Sequence, residues 1–221
     1  VDKNFEYISS NKTLLMNDKE IKKFAESKDF SVIMTSNKHK RALDRVAEAA
    51  SKLRYKLSSN DIIVCVQGDE PMLTPDMIKS VVNPLKKNKL IPATVLALKI
   101  KDKAMWENND IVKIIHNKAG KILYTSRVPL PYLKHGFSDK YNIRRVGGIF
   151  AFRWKYLKEF VNFPETFLEK IEACDSNRVL DMEFSQYIAP FTPKYSYSVD
   201  SPKDIKYVEK YLKKDNLYGK Y

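Results

Sequence analysis

Short apolar runs alternate with segments of helical period along the first hundred positions. Residues 13–16, 30–34, 62–66 (Ile62-Ile63-Val64-Cys65-Val66) and 93–100 read as strands, the third as one buried on both faces. Between them Ile21, Phe24 and Ala25 mark one helix, and Ala42, Leu43, Val46, Ala49, Ala50 and Leu53 trace the face of a second over residues 40–57. Thr74-Pro75-Asp76 opens a third, with a cap residue before Pro at the first helical position, and it runs to about residue 87. Four such alternations predict right-handed βαβ units and the α/β class, with a mainly parallel mixed sheet flanked by helices.

Beyond residue 100 the pattern changes. Apolar stretches at 111–115 and 121–125 enclose a turn with Asn117 and Gly120, which predicts a hairpin. "VGGIFAF" returns as a strand ending at Arg153, helices are expected over 154–161 and 167–180, and residues 195–199 read as a last strand. Ser201, Pro202 and Asp204 then form the start of a capped helix. The 221 residues hold no repeat, low-complexity tract or linker, so 1–221 is expected to be a single domain carrying an inserted hairpin subregion over 111–152.

Composition narrows the partners. No apolar run approaches the ~20 residues of a membrane span, so membrane insertion is not expected. Cys65 and Cys174 lie far apart, with neither zinc nor disulfide spacing, which suits a reducing cytoplasmic setting. The net charge of +13 comes from eight Arg and 32 Lys spread over nearly every helix among Asp and Glu. A nucleic-acid reader concentrates such charge on one element, so nucleic acid is not the expected partner, whereas a small anionic substrate is compatible.

The chemistry concentrates at strand tips. The run 62–66 ends abruptly in Gln67, Gly68, Asp69 and Glu70, and ligands of open α/β sheets bind beyond the carboxyl ends of strands. The plainer alternative is a strand-to-helix turn, with Gly68 at the bend and Asp69 or Glu70 as a solvated cap. Asp200 stands in a similar place, after the expected strand 195–199. Two strand-tip aspartates converging would suit a metal, while each alone suits a helix cap. His116 at the hairpin turn and His135 in a loop read as surface residues.

"VQGDEPML", "LYTSRVPLP", "GGIFAFR" and "SVDSPKDIKYVE", in this order and spacing, resemble the cytidylyltransferases that make CMP-activated sugar acids, the CMP-Kdo synthetase (3-deoxy-manno-octulosonate cytidylyltransferase) family. The resemblance spans about residues 14–212 and implies a Rossmann-like nucleotide-diphospho-sugar transferase fold. It implies attack by the anomeric hydroxyl of a 2-keto-3-deoxy sugar acid on the α-phosphate of CTP, for polysaccharide or lipopolysaccharide synthesis. By the same similarity Asp69 and Asp200 are Mg²⁺ ligands, and Arg127 is the catalytic-site group for the sugar carboxylate, a task suited to its planar fork. Gln67, Arg45, His39, Ser126, Asp175 and Arg178 are the implied substrate-binding residues, and a homodimer is the implied assembly.

Departures from the family pattern are specific. Where the family reads His-x-Ser-Gly-Thr-Glu/Asp-Arg near the cytosine, this chain has His39-Lys40-Arg41-Ala42-Leu43-Asp44-Arg45. Val146, behind Arg144 and Arg145, stands where a His is frequent, and Asp175-Ser176 replaces a Glu-Gln pair. Nothing in "VDKNFEYISSNKT" matches the family's opening triphosphate loop, and no Met precedes it. The chain is therefore expected to be N-terminally incomplete relative to the family. The alternative is a non-catalytic remnant serving as a binding or assembly module.

Overall fold

The computed structural model describes residues 13–16, 19–193, 195–199, 201–215 and 218. Two sheets are present among them. β1 (Thr13–Met16) and β2 (Ser31–Met34) pair in parallel, joined through α1 (Lys19–Glu26). The larger, six-stranded sheet is organised around β7 (Arg144–Arg153), a ten-residue strand.

β4 (Ala93–Lys99) lies antiparallel along β7 from Phe152 to Arg144. β3 (Ile62–Val66) pairs with Ile149 to Arg153, and β5 (Lys113–His116) pairs with Arg144 and Arg145. Both ranges overlap that of β4, and a strand has only two edges, so β3 and β5 share the edge opposite β4. β6 (Ile122–Ser126) closes the hairpin with β5, and β8 (Gln186–Phe191) adds in parallel to β4. β3, β4, β5 and β8 therefore run one way and β6 and β7 the other. The expected mixed α/β sheet is present, but most of its ladders are antiparallel because β7 is wedged between β3 and β4.

Strand alternation sorts the core into two layers. On β4, Val95 and Ala97 face a cluster with Phe150 and Phe152 of β7, while Leu96 and Leu98 face the opposite cluster with Ile149 and Ala151. α2 (Ala42–Ser51) and α5 (Trp154–Asn162) cover the first face through Leu43, Val46, Leu157 and Phe160. α3 (Pro75–Lys87) covers the second through Met77, Val81, Val82 and Leu85, one stripe of a helix. Buried Thr94 ties the two together by donating to the Val81 carbonyl at 2.6 Å.

Several expected elements differ. α2 stops at Ser51, short of the expected 57. A short α4 (Lys103–Glu107) is present that the pattern did not mark, capped by Asp102 accepting from the Met105 N–H at 2.8 Å. The helix expected over 167–180 is two, α6 (Phe167–Glu172) and α7 (Asp175–Asp181), broken where Ala173 adopts φ 48°. Residues 195–199 form no strand, and the last strand is β8 instead. Pro190 and polar Gln186 disguise β8 in the sequence, and Pro is tolerated there because β8 is at the sheet edge. α8 (Pro202–Leu212) ends the described fold.

Candidate functional site

The shared edge of β7 creates the site. β3 stops at Val66 opposite Ile149, and β5 begins at Lys113 opposite Arg145, leaving residues 146–148 between them. Gln67 N–H donates to the Gly148 carbonyl at 3.0 Å, and Val146 N–H to the Val112 carbonyl at 2.9 Å, so the two chains part just there. A cavity of about 1040 Å³ opens beyond the β3 tip. The position is the one favoured for ligands in α/β sheets.

Local geometry divides the two carboxylates of the tip. Gly148 has φ +68°, and a Cβ there would approach Glu70 Cγ to 2.5 Å, so only glycine allows Glu70 to fold inward. Glu70 is buried and accepts from Ser198 Oγ at 2.8 Å. It is thus not the solvated cap of the plainer sequence alternative. Asp69 instead is exposed and lines the cavity with Gln67. β3 itself is less enclosed than expected: Cys65 is buried but Val66 is 46 % exposed, because within the larger sheet β3 pairs only with β7.

Residues 195–198 line the cavity without a ladder, and they, Pro193 and Val199 are held by individual bonds. Lys101 Nζ donates to the Pro193 carbonyl at 2.9 Å, Arg145 Nη2 to Ser196 Oγ at 3.0 Å, and Val199 N–H to the Asp69 carbonyl at 2.8 Å. Asp200 lies outside the described residues. Ser201, just past it, lines the cavity and donates through N–H and Oγ to Asp204 Oδ2 at 2.7 and 2.8 Å, starting α8.

Arg127 enters the cavity wall from the end of β6. Its Nε donates to the Glu172 carbonyl at 2.8 Å and its Nη1 to the Asn109 and Asp110 carbonyls, each at 3.2 Å. Glu172 organises this corner, accepting from Tyr124 Oη at 2.8 Å, Ser126 Oγ at 2.6 Å and Arg127 N–H at 2.9 Å. Burial pushes the Glu172 carboxyl up, but these donors outweigh it and hold it below the ordinary glutamate value. Ser126 is therefore buried behind the wall rather than in it. Lys113, fully buried, braces the same corner by donating to the carbonyls of Asn108, Ile111 and Arg127 at 2.6–2.7 Å. Burial, then Arg127, pushes its pKa down. Sequence pattern singled out neither Glu172 nor Lys113 for the site. The signal that sequence offers is the place of Glu172 in the late helical segment, three residues before Asp175-Ser176.

A smaller cavity of about 300 Å³ adjoins the first, sharing Lys40 and Arg41, and is lined by His39, Asp44 and Arg178. His39 Nε2 contacts the Glu48 carboxylate, which also accepts from Lys52 and the Ser36 N–H. Lys52 foremost, then Ser36 and His39, bring Glu48 down to about 2. Arg45 holds the preceding loop, donating to Thr35 Oγ1 at 2.8 Å and the Ser36 carbonyl at 3.1 Å. Arg178 is buried and donates twice to Glu169, at 2.6 Å each. Of the residues nominated from sequence, Gln67, Asp69, Arg127 and Asp175 meet in the main cavity. His39 and Arg178 line the smaller one, and Arg45 and Ser126 stand in supporting frames.

Asp175 begins α7 at the cavity wall, 3.6 Å from Arg41 Nε. Burial pushes its carboxyl from 3.8 up to about 6, against the lowering by Arg41. Between those two values the unfolded chain loses this proton while the folded one keeps it, so Asp175 lowers stability as pH rises from about 4 to about 6. Asp175→Asn is expected to flatten that part of the profile and raise the unfolding midpoint at pH 7 relative to the parent, with little difference at pH 4. Denaturant titrations at the two pH values check it, and an unchanged difference between them would contradict the placement.

The cytidylyltransferase family profile matches residues 16–186. The 3-deoxy-manno-octulosonate cytidylyltransferase of Thermodesulfovibrio yellowstonii is 34 % identical over 202 residues, covering 88 % of this chain and 78 % of that protein. The enzyme of the same name from Coxiella burnetii is 31 % identical over 201 residues, covering 88 % and 80 %. Among solved structures, CMP:2-keto-3-deoxy-manno-octonic acid synthetase complexed with CTP superposes with TM-score 0.80 at 24 % identity, covering 91 % of this chain and 80 % of that one.

Proposed function

The chain belongs to the cytidylyltransferase family, and we propose that it transfers CMP from CTP to the anomeric hydroxyl of a Kdo-like 2-keto-3-deoxy sugar acid. The sugar oxygen bonds to the α-phosphorus as the bond to the pyrophosphate oxygen breaks, and the hydroxyl proton is lost. The product serves cell-surface polysaccharide or lipopolysaccharide synthesis. One observation carries this reading: four stretches far apart in sequence reach one cavity. They contribute Gln67 and Asp69, Arg127, Gly148, and Ser198 with Ser201.

Such a transfer needs alignment and charge neutralisation more than a covalent nucleophile. Lys40, Arg41, Arg127 and Arg145 line the cavity and supply positive charge for two anionic substrates. Asp69 and Asp200 would hold Mg²⁺, which when bound neutralises charge on the phosphate oxygens. The fit rests on Asp69 being an exposed hard-oxygen donor and on Val199, the neighbour of Asp200, bonding to the Asp69 carbonyl. No cluster of three or more His, Cys, Asp or Glu that could hold a metal occurs among the described residues. Mg²⁺ typically takes only one or two carboxylates, and substrate phosphates complete its shell. Gln67 orients the substrates, and Arg127 addresses the sugar carboxylate from a guanidinium held by four backbone carbonyls, which leave one Nη2 N–H to donate.

The 1–221 chain works as one domain in the cytoplasm and as a homodimer through the 111–152 subregion, where Leu123, Tyr132 and Tyr141 are exposed. No helix among the described residues is long and apolar enough to cross a membrane.

Pyrophosphate and CMP-sugar formation from CTP, Mg²⁺ and Kdo tests the reading, and absence of both products would overturn it. Within that assay Arg127→Lys, which keeps charge but loses the planar group that the backbone carbonyls hold in place, is expected to raise KM for the sugar acid about tenfold and leave KM for CTP within about twofold. An equal rise for CTP would remove Arg127 from the sugar side.

A further inference from the structure

Residues 195–199 do more than close the cavity wall, for successive side chains there have different partners. Ser196 and Ser198 turn toward the sheet, to Arg145 and Glu70. Tyr195 and Tyr197 both pack on Tyr211 of α8, with ring centroids 4.6 and 4.8 Å apart. The Tyr197 ring is nearly parallel to Tyr211, at 23°, so one of its two faces is covered. Tyr197 nevertheless lines the cavity and is 38 % exposed. Lys210 and Lys214 lie 5.8 and 5.5 Å from the Tyr211 ring.

Building on the transfer reading above, we propose that Tyr197, backed by Tyr211, is a stacking platform for the hydroxylated carbon chain of the sugar acid beyond its reacting end. A flat ring in a polar cavity takes the C–H face of a polyol while its hydroxyls stay hydrated or meet polar neighbours. Lys101 and Asp102 line the same cavity and supply such neighbours. The anchors of the segment explain why the platform is rigid: Ser196 and Ser198, on either side of Tyr197, are each hydrogen-bonded to a buried charged side chain. Tyr197 then sets which chain length is accepted, and the phosphate chemistry at Asp69 is not its concern.

The test compares the full sugar acid with a shortened 2-keto-3-deoxy acid lacking the terminal hydroxylated carbons. In the parent protein the shortened acid should have a KM about tenfold higher, the scale of one aromatic contact. In Tyr197→Ala the two acids should become equal, with KM for CTP unchanged. Tyr197→Phe keeps the ring and should restore the discrimination, which separates a lost platform from a disturbed segment. Discrimination that survives Tyr197→Ala, or a rise confined to CTP, overturns the proposal. Calorimetric titration of both acids into parent and Tyr197→Ala protein gives a readout independent of turnover. If no transfer occurs the function reading fails, but a parent that binds the full acid more tightly, with the difference erased in Tyr197→Ala, still supports the platform. Equal affinities in the parent overturn it.

Discussion

Asp69→Asn is expected to lower the rate of pyrophosphate release by about 10²–10³-fold, the usual cost of losing one preorganised electrostatic group at such a centre. The substitution conserves volume, and the bond between Val199 N–H and the Asp69 carbonyl belongs to the backbone and survives. The unfolding midpoint should therefore hardly move, while the concentration of Mg²⁺ needed for half-maximal rate rises. Rate assays across a Mg²⁺ series, paired with thermal unfolding, separate the two. Retention of the parental rate and Mg²⁺ requirement would remove Asp69 from the metal and with it the mechanism.

The second large effect is on stability. Glu169 is completely buried and holds Arg178 through two bonds of 2.6 Å, and Arg178 also donates to the Phe160 carbonyl and lies over the Phe160 ring. Glu169→Ala leaves the Arg178 guanidinium in the interior with Asp44 at 3.6 Å as its nearest remaining carboxylate. Breaking one side of such a pair typically costs about 3–5 kcal/mol, far more than the pair adds when intact. Denaturant unfolding of the variant should show that loss. Arg178→Met should also destabilise, since buried Glu169 then keeps only the Thr166 N–H at 3.3 Å and Arg41 at 3.6 Å among its described partners. If either variant unfolded like the parent and only substrate KM changed, Arg178 would belong to substrate binding, as the family resemblance implies.

The legible parts of this fold are those whose information is local. Val95 and Leu96 alternate faces within one strand, Pro75 starts a helix after Thr74, and Gln67-Gly68-Asp69-Glu70 mark a strand end. Each can be read without a partner. What escaped depends on distant contacts. Pro190 reads as a breaker until β8 is known to be an edge strand. Residues 195–199 look like a strand by composition, yet their hydrogen bonds go to Arg145, Glu70 and Asp69 rather than to a neighbouring ladder. The break at Ala173 is invisible in a helix-period pattern and lets Glu169 and Arg178 face one another. The same holds for site residues. Asp69 is nominated by its place in the chain, whereas Glu172 and Lys113 acquire roles only once β5, β6 and α6 converge.

The central place of β7 also governs when the molecule can fold. β3 and β4 are neighbours in sequence but meet only through β7, which is made much later. During synthesis everything up to Ile143 can leave the ribosome while both strands still lack the partner that joins them. Their apolar residues and open edges must wait, exposed to one another and to other chains. Loops closed over such long separations make sheet assembly slow relative to helix formation. Emergence of residues 144–153 is therefore the event that commits the chain: one strand zips β3, β4 and β5 together and fixes the β3 tip, around which residues 173–175, 195–198 and Ser201 later complete the cavity wall.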